Sequence, residues 1–482
     1  MPSSATPLAG RRIVVMGLGQ FGGGVGVAKF LAAQGARVLV TDKETPEKLQ
    51  NSKAQLAGLD VEFRLGEHVV SDFTTADIIV VNPAVNPAKS EYLLAARKAG
   101  VPFTSEIRLL AERLPNRKKI IGITGSAGKS TTTSMVGHIL GTRQSSEFRV
   151  PSSELKTEKT GQHDESNELK TRNSELGTRN FPSPSVHLGG NLGGSLLNSL
   201  GSIRANDWVV LELSSFMLEG LREDRWAPHI ALITNLAPNH LDWHGTIDAY
   251  RAAKQALLDF QREDDIAILG PGADGFSPRV APQNRHVFHS ADISKLTRDV
   301  PPLLIPGDHN RLNAAMAVEV CVAAGIERGA ALAALATFTG LPHRLERVHE
   351  RGGVLYFNDS KCTTPEAAML ALHSFKPGIV HLILGGYNKG ADLAPLAAFA
   401  KQHCKAIHTI GTTGPAIATA AENAHGNAKV SRSETLARAM HEMKSHLRPG
   451  DVALLSPACA SWDQFTNFEA RGAAFIDLAR SL

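Results

Sequence analysis

The sequence is short of cysteine, of any surplus of one charge and of long apolar runs. Its four cysteines, Cys321, Cys362, Cys404 and Cys459, lie far apart with no Cys-x-x-Cys pair, which excludes a disulfide framework and a thiolate zinc site. Lys plus Arg number 51 against 47 Asp plus Glu. That excess is too small for the clustered basic face that binds nucleic acid. No run of about 18 uncharged apolar residues is present to span a bilayer. Met1–Arg12 is polar and lacks a signal-peptide core. These absences leave a soluble, cytoplasmic protein with no nucleic-acid and no membrane partner as the expectation.

What is present is the composition of a large globular chain. At 482 residues, 43% hydrophobic and 20% charged, two to four domains are expected. Short β-branched runs recur at Ile13–Met16, Val38–Thr41, Ile78–Val81, Ile120–Thr124, Trp208–Leu213, Ile230–Thr234, Ile266–Leu269, Ile379–Leu384 and Val452–Leu455. Helical patterns such as Gly26–Gln34 and Ala367–His373 lie between them. Continuous apolar strands separated by helices predict parallel sheets covered on both faces, an α/β protein with more than one sheet. Residues 143–185 break the pattern, with few large apolar residues and a near-repeat, Asn167–Asn173 then Ser174–Asn180. One leucine per unit (Leu155, Leu169, Leu176) is too little apolar area to offset ordering entropy, which predicts a mobile surface insertion.

Gly17-Leu-Gly19-Gln20-Phe21-Gly22 follows the first strand and opens a helix, and Asp42 ends the next strand. This meets the dinucleotide-binding pattern. Physically it says only that amides at a helix N-terminus can approach a diphosphate. A nicotinamide or flavin nucleotide, a UDP-type ligand and a structural turn all stay open on this loop alone.

The second glycine loop says more. Ile120–Thr124 runs into Gly125-Ser126-Ala127-Gly128-Lys129-Ser130-Thr131. A strict Walker loop would have glycine at 123, where this chain has Ile123. The chemistry is otherwise complete: amides to wrap phosphates, Lys129 for the β and γ oxygens, Ser130 or Thr131 for Mg²⁺. The bland alternative is a Gly/Ser turn with a solvated lysine, but strand, turn, Lys-Ser and helix in that order favour a nucleoside triphosphate. Downstream, Glu212 ends the apolar strand Trp208–Leu213, where ligands of parallel sheets collect. A buried carboxylate there needs a cation, either Mg²⁺ or an arginine. His240-Leu-Asp242-Trp-His244 follows the strand Ile230–Thr234. It reads as a zinc cluster or as a set orienting Mg²⁺ ligands, and the phosphate loop upstream favours the second.

In this order the pieces resemble the Mur ligase family over nearly the whole chain. Ile123–Thr131 resembles its ATP loop, with Ala127 where Asn is usual. Gly189-Gly-Asn191-Leu-Gly193 resembles its substrate loop, and Gly307-Asp-His-Asn310-Arg-Leu-Asn313 its adenine-side motif. Leu341-Pro-His343-Arg344 resembles the entry to its C-terminal domain. The run Leu455–Gly472, together with Gly385-Gly-Tyr-Asn-Lys389, resembles the D-glutamate-adding branch. The Asp-Asn-Pro-Arg run of the diaminopimelate- and lysine-adding branches is missing.

The resemblance implies a three-domain α/β fold: a Rossmann-like UDP-substrate domain at 1–110, a P-loop ATP domain at 111–341 and a Rossmann-like ligase domain at 342–482. ATP is implied on Gly125, Ser126, Ala127, Gly128, Lys129, Ser130, Thr131, Asn310, Asn313, Arg344 and Asp359. The UDP-sugar falls to Gly19, Gln20, Phe21, Asp42, Lys43 and Asn191, and D-glutamate to Lys361, Thr363, Lys389, Ser461 and Phe468. Catalysis is implied at Lys129, Glu212, His240 and Lys254, with two Mg²⁺ on Ser130, Glu212, His240 and a carbamylated Lys254. The implied substrates are UDP-N-acetylmuramoyl-L-alanine, D-glutamate and ATP, handled by a monomer in peptidoglycan precursor synthesis. A carboxylate is a poor electrophile, so the implied chemistry runs through an acyl phosphate.

Three rivals compete. An NAD-dependent dehydrogenase accounts for Gly17–Asp42 and leaves the ATP loop unused. A folylpolyglutamate-synthase-like ligase would begin near its ATP loop, whereas Met1–Lys119 precedes it here. A nucleotide-sensing module would follow if Ala127, and Met217 where the family often has a polar residue, had abolished turnover.

Overall fold

A computed structural model describes residues 5–19, 23–83, 85–146, 184–192, 195–388 and 390–481. Gln20, Phe21, Lys389 and nearly all of the 143–185 insertion therefore lie outside the described residues. Three sheets follow one another along the chain. The first holds β1 (Arg12–Met16), β2 (Arg37–Asp42), β3 (Val61–Leu65), β4 (Ile78–Val81) and β5 (Phe103–Thr104), in the order β3-β2-β1-β4-β5. The second holds β6 (Ile120–Thr124), β7 (Val186–Gly190), β8 (Trp208–Glu212), β9 (Ile230–Ile233), β10 (Ile266–Leu269) and β11 (Arg285–Val287), in the order β11-β10-β9-β6-β8-β7. The third holds β12 (Glu346–Arg351), β13 (Val354–Asn358), β14 (Val380–Gly385), β15 (Ala406–Ile410), β16 (Lys429–Glu434) and β17 (Val452–Leu455), in the order β12-β13-β17-β14-β15-β16. All pairings are parallel except β12 with β13.

The continuous apolar runs become the central strands for a physical reason. Ile78–Val81 and Ile230–Ile233 are buried at every position, as strands covered by helices on both faces must be. One apolar cluster runs unbroken from Val15 and Leu31 in the first unit to Leu211 and Leu257 in the second. Arg108 reinforces that junction, donating to Glu223 at 2.7 Å and to Asp224 at 2.6 Å. The third sheet has its own clusters, around Leu382 and around Met440. The C-terminal ends of β6, β8 and β9 bring Thr124, Glu212 and Thr234 to one edge of the middle sheet.

Candidate active site

The phosphate loop is built by contacts that reject any larger residue at its glycines. Gly125 has φ +151°, and a Cβ there would run into the Thr234 hydroxyl. Gly128 has φ +79°, and its Cβ would strike the Asn313 side chain. Glycine alone adopts such conformations without strain. Asn235 pins the loop from the next strand end: its Oδ1 accepts from Ser126 N at 3.1 Å and Ala127 N at 2.9 Å. Its Nδ2 donates to the Ala127 carbonyl at 3.2 Å. Thr234 Oγ1 donates to the same carbonyl at 2.6 Å. Lys129 opens the helix Lys129–Ser146, its Nζ folded back onto the carbonyls of Gly125 at 2.9 Å and Ser126 at 3.3 Å. Burial pushes its pKa down, Glu212 pulls it up and Arg344 pushes it down again.

Beside it sits a second buried lysine. Lys254, on the helix Ile247–Asp259, is 1% exposed. Its Nζ donates to the Gly125 carbonyl at 2.9 Å and the Thr124 hydroxyl at 3.3 Å, and lies 4.5 Å from the centroid of the Tyr250 ring. Burial, then the neighbouring Lys129 charge, lowers its pKa to about 7. Glu212 is 1% exposed. Its Oε1 accepts from Asn191 Nδ2 at 3.0 Å, whereas its buried Oε2 has no hydrogen-bond partner among the described residues. A buried carboxylate oxygen without a partner costs roughly 1–3 kcal/mol or more, so the position suits a cation brought with a ligand. Among the described residues no group of three or more His, Cys, Asp or Glu could hold a metal alone. A Mg²⁺ there would need phosphate oxygens or water to complete its shell. His240 stands at φ +52° with its ring edge-on to Phe216 at 5.1 Å; the side chain of Asp242 lies outside what is described.

The adenine-side residues are in place behind the loop. Asn310 and Asn313 are both 5% exposed, with Asn310 Nδ2 donating to the Pro306 carbonyl at 2.6 Å. From the third unit, Arg344 acts electrostatically on Lys129, and Glu212 acts on Lys361. Asp359 is buried, which raises its pKa to about 6 against the lowering effect of the Ser456 hydroxyl at 2.7 Å. Ser461 is buried, and Lys361 Nζ lies 5.4 Å from the Phe468 ring centroid. Thr363 is partly exposed and follows Asp359 closely along the chain.

The first glycine loop is differently employed. Asp42 Oδ2 accepts from the amides of Leu18 at 2.8 Å and Gly19 at 3.0 Å, and its Oδ1 accepts from Glu44 N at 2.9 Å. The loop therefore has an internal anion on two of its amides. Lys43 Nζ lies over the Tyr92 ring at 5.2 Å.

Sequence reasoning passed over Asn235, Thr234, Tyr250 and Arg471. Arg471 is 1% exposed and donates to Ser360 Oγ at 3.0 Å, the Ser360 carbonyl at 2.8 Å and the Cys459 carbonyl at 3.0 Å. A signal existed for two of them: Asn235 follows an apolar strand directly, and Arg471 closes the run Leu455–Gly472.

Comparison with known proteins accounts for these arrangements together. Residues 11–105 match the family model for the Mur ligase MurD-like N-terminal domain. Residues 123–290 match the Mur ligase middle domain and 343–459 the Mur ligase glutamate ligase domain. The UDP-N-acetylmuramoylalanine–D-glutamate ligase of Roseiflexus sp. (strain RS-1) is 36% identical, covering 98% of this chain and 99% of its own. The protein of the same name from Koribacter versatilis (strain Ellin345) is 35% identical, covering 98% of each. Among solved structures, UDP-N-acetylmuramate-alanine ligase MurC of Thermotoga maritima superposes with a TM-score of 0.54 at 18% identity, covering 98% of this chain and 99% of its own. MurF of Acinetobacter baumannii gives 0.53 at 17%, covering 96% and 93%. At such identities the structural likeness is one of fold.

Proposed function

Because the chain belongs to the Mur ligase family, we propose that it joins D-glutamate to UDP-N-acetylmuramoyl-L-alanine at the expense of ATP, a step of peptidoglycan precursor synthesis. The observation that carries this reading is the corner where Lys129, Lys254 and the half-satisfied Glu212 meet at the end of the middle sheet. Near-full-length identity to ligases of that name supports it.

A carboxylate oxygen of the L-alanine attacks the γ-phosphorus, and the bond to the β-phosphate oxygen breaks to release ADP. The neutral amine of D-glutamate then attacks the acyl carbon; phosphate leaves and the amine gives up a proton. Little covalent work is left to the protein, so positioning and charge stabilisation dominate. Lys129 swings from the carbonyls of Gly125 and Ser126 to the γ-phosphate. Ser130, Glu212, His240 and Lys254 are the residues we assign to Mg²⁺, which when bound neutralises phosphate charge. Lys254 suits carbamylation, because a pKa of about 7 leaves a neutral amine fraction near neutrality to take up CO₂.

We assign ATP to Gly125–Thr131, Asn310, Asn313, Arg344 and Asp359. The uridine end goes to Gly19, Asp42 and Lys43, with Asn191 beside Glu212. D-Glutamate goes to Lys361, Thr363, Ser461 and Phe468, and to Lys389 and, for the uridine, Gln20 and Phe21 on sequence alone. The working units are 1–110, 111–341 and 342–482, in a cytoplasmic monomer. No described helix is long and apolar enough to cross a membrane. The test is isotopic: ¹⁸O placed in the L-alanine carboxylate appears in released phosphate during turnover with ATP and D-glutamate. Phosphate free of label overturns the acyl-phosphate route.

A further inference from the structure

His244 makes a set of contacts that the proposed reaction does not use. Its Nε2 lies 2.9 Å from Ser215 Oγ, and its Nδ1 lies 3.4 Å from Glu219 Oε1. Serine, histidine and glutamate in that order suggest a hydrolytic triad. Ser215 is 2% exposed, so its hydroxyl cannot reach a substrate, and the arrangement is read instead as a brace.

The brace has a defined load. Ser215 and Glu219 lie on the helix Ser215–Glu223, which begins three residues after Glu212. His244 ends the short turn Leu241–His244, whose preceding residue is His240 at φ +52° and whose following residue is Gly245 at φ +76°. A non-glycine residue in the left-handed region persists only where its surroundings hold it there. The His244 ring stacks on Phe216 at 5.6 Å and 4° between planes, and meets Tyr250 at 5.3 Å. Phe216 in turn contacts His240, and Tyr250 contacts Lys254. The helix Ser215–Glu223, which follows the strand ending in Glu212, and the helix Ile247–Asp259, which carries Lys254, thus both meet the ring that closes the His240 turn.

We propose that His244 is a positioning residue that locks the His240 turn onto the helix Ser215–Glu223 by accepting from the Ser215 hydroxyl, with the Glu219 carboxylate facing its other ring nitrogen. The inference rests on the reading of His240 as part of the active site. The Glu219 carboxylate favours the tautomer with the proton on Nδ1 and Nε2 as acceptor.

Amide hydrogen exchange of the metal-free protein tests it without turnover. In Ser215→Ala and His244→Phe, which keeps the stacking, exchange at Trp243, His244 and Gly245 accelerates at least tenfold, while β8 exchanges as before. Histidine ¹⁵N–¹H correlations show the Nδ1–H tautomer in the wild type and a shift away from it in Glu219→Ala. In the same variants the Mg²⁺ concentration for half-maximal ADP release rises several-fold with the KM for D-glutamate unchanged, and His244→Gln recovers part of the loss. Unchanged exchange and Mg²⁺ dependence in Ser215→Ala overturns the brace, whether or not His244→Phe folds. His240→Ala separates the two ideas: if it turns over normally the active-site reading falls, and if it fails while Ser215→Ala is normal only the brace does.

Discussion

The chain carries two glycine loops, each leaving a buried strand and opening a helix, and their side-chain surroundings set them to different work. The loop at Gly17–Gly22 is met by a carboxylate from the next strand, and Asp42 occupies two of its amides. The loop at Gly125–Gly128 is met by amines and a carboxylate with an idle oxygen. The first is internally neutralised. The second stays charged until a polyanion with its cations arrives. Similar backbone logic therefore says little about ligand until later strand ends are placed.

Four substitutions probe that contrast, in falling order of effect. Lys129→Ala is expected to lower ADP release on the order of 10³-fold, the scale of losing a group aimed at developing charge; near-normal release would remove the loop from catalysis. Lys254→Ala is expected to cost on the order of 10²-fold on the same scale, partly restored by a small added carboxylate. Its pH signature has a definite sign. With the folded pKa near 7 and the ordinary lysine value at 10.5, the burial penalty on stability grows as pH falls from 10.5 and is complete below about 7. Below that pH the ammonium also takes up no CO₂, so ¹³C-carbamate signal and activity fall together. Glu212→Gln is expected to cost about a hundredfold in activity by the same reasoning, and it removes the charge that raises the Lys129 pKa, so Lys129 titrates lower in the variant. Asp42→Asn gives the smallest change: a stability loss of about 1–3 kcal/mol from weakened loop amides and a several-fold higher KM for the UDP-sugar. ATP affinity should be unaffected. A matching loss of ATP affinity would erase the distinction between the loops.

Much of the fold was legible because the central strands are continuous β-branched runs, and these stand where the sequence placed them. The strands it missed are mostly at edges or polar. Lys429–Glu434 is largely exposed, and Ala406–Ile410 is interrupted by His408 and Thr409. Neither shows an unbroken apolar pattern. Motif residues with a local signature, such as Lys129 and Glu212, could be named in advance. Asn235 and Arg471 stood in informative positions, but their roles were not legible, because each works by reaching across the fold to a backbone group in another loop. Such partners have no spacing rule.

Arg471 has a consequence of its own. One guanidinium grips both the Ser360 turn and the Cys459 turn, so Asp359 beside one and Ser461 beside the other are tied through a single side chain. A substitution at Arg471 is therefore felt at both turns together.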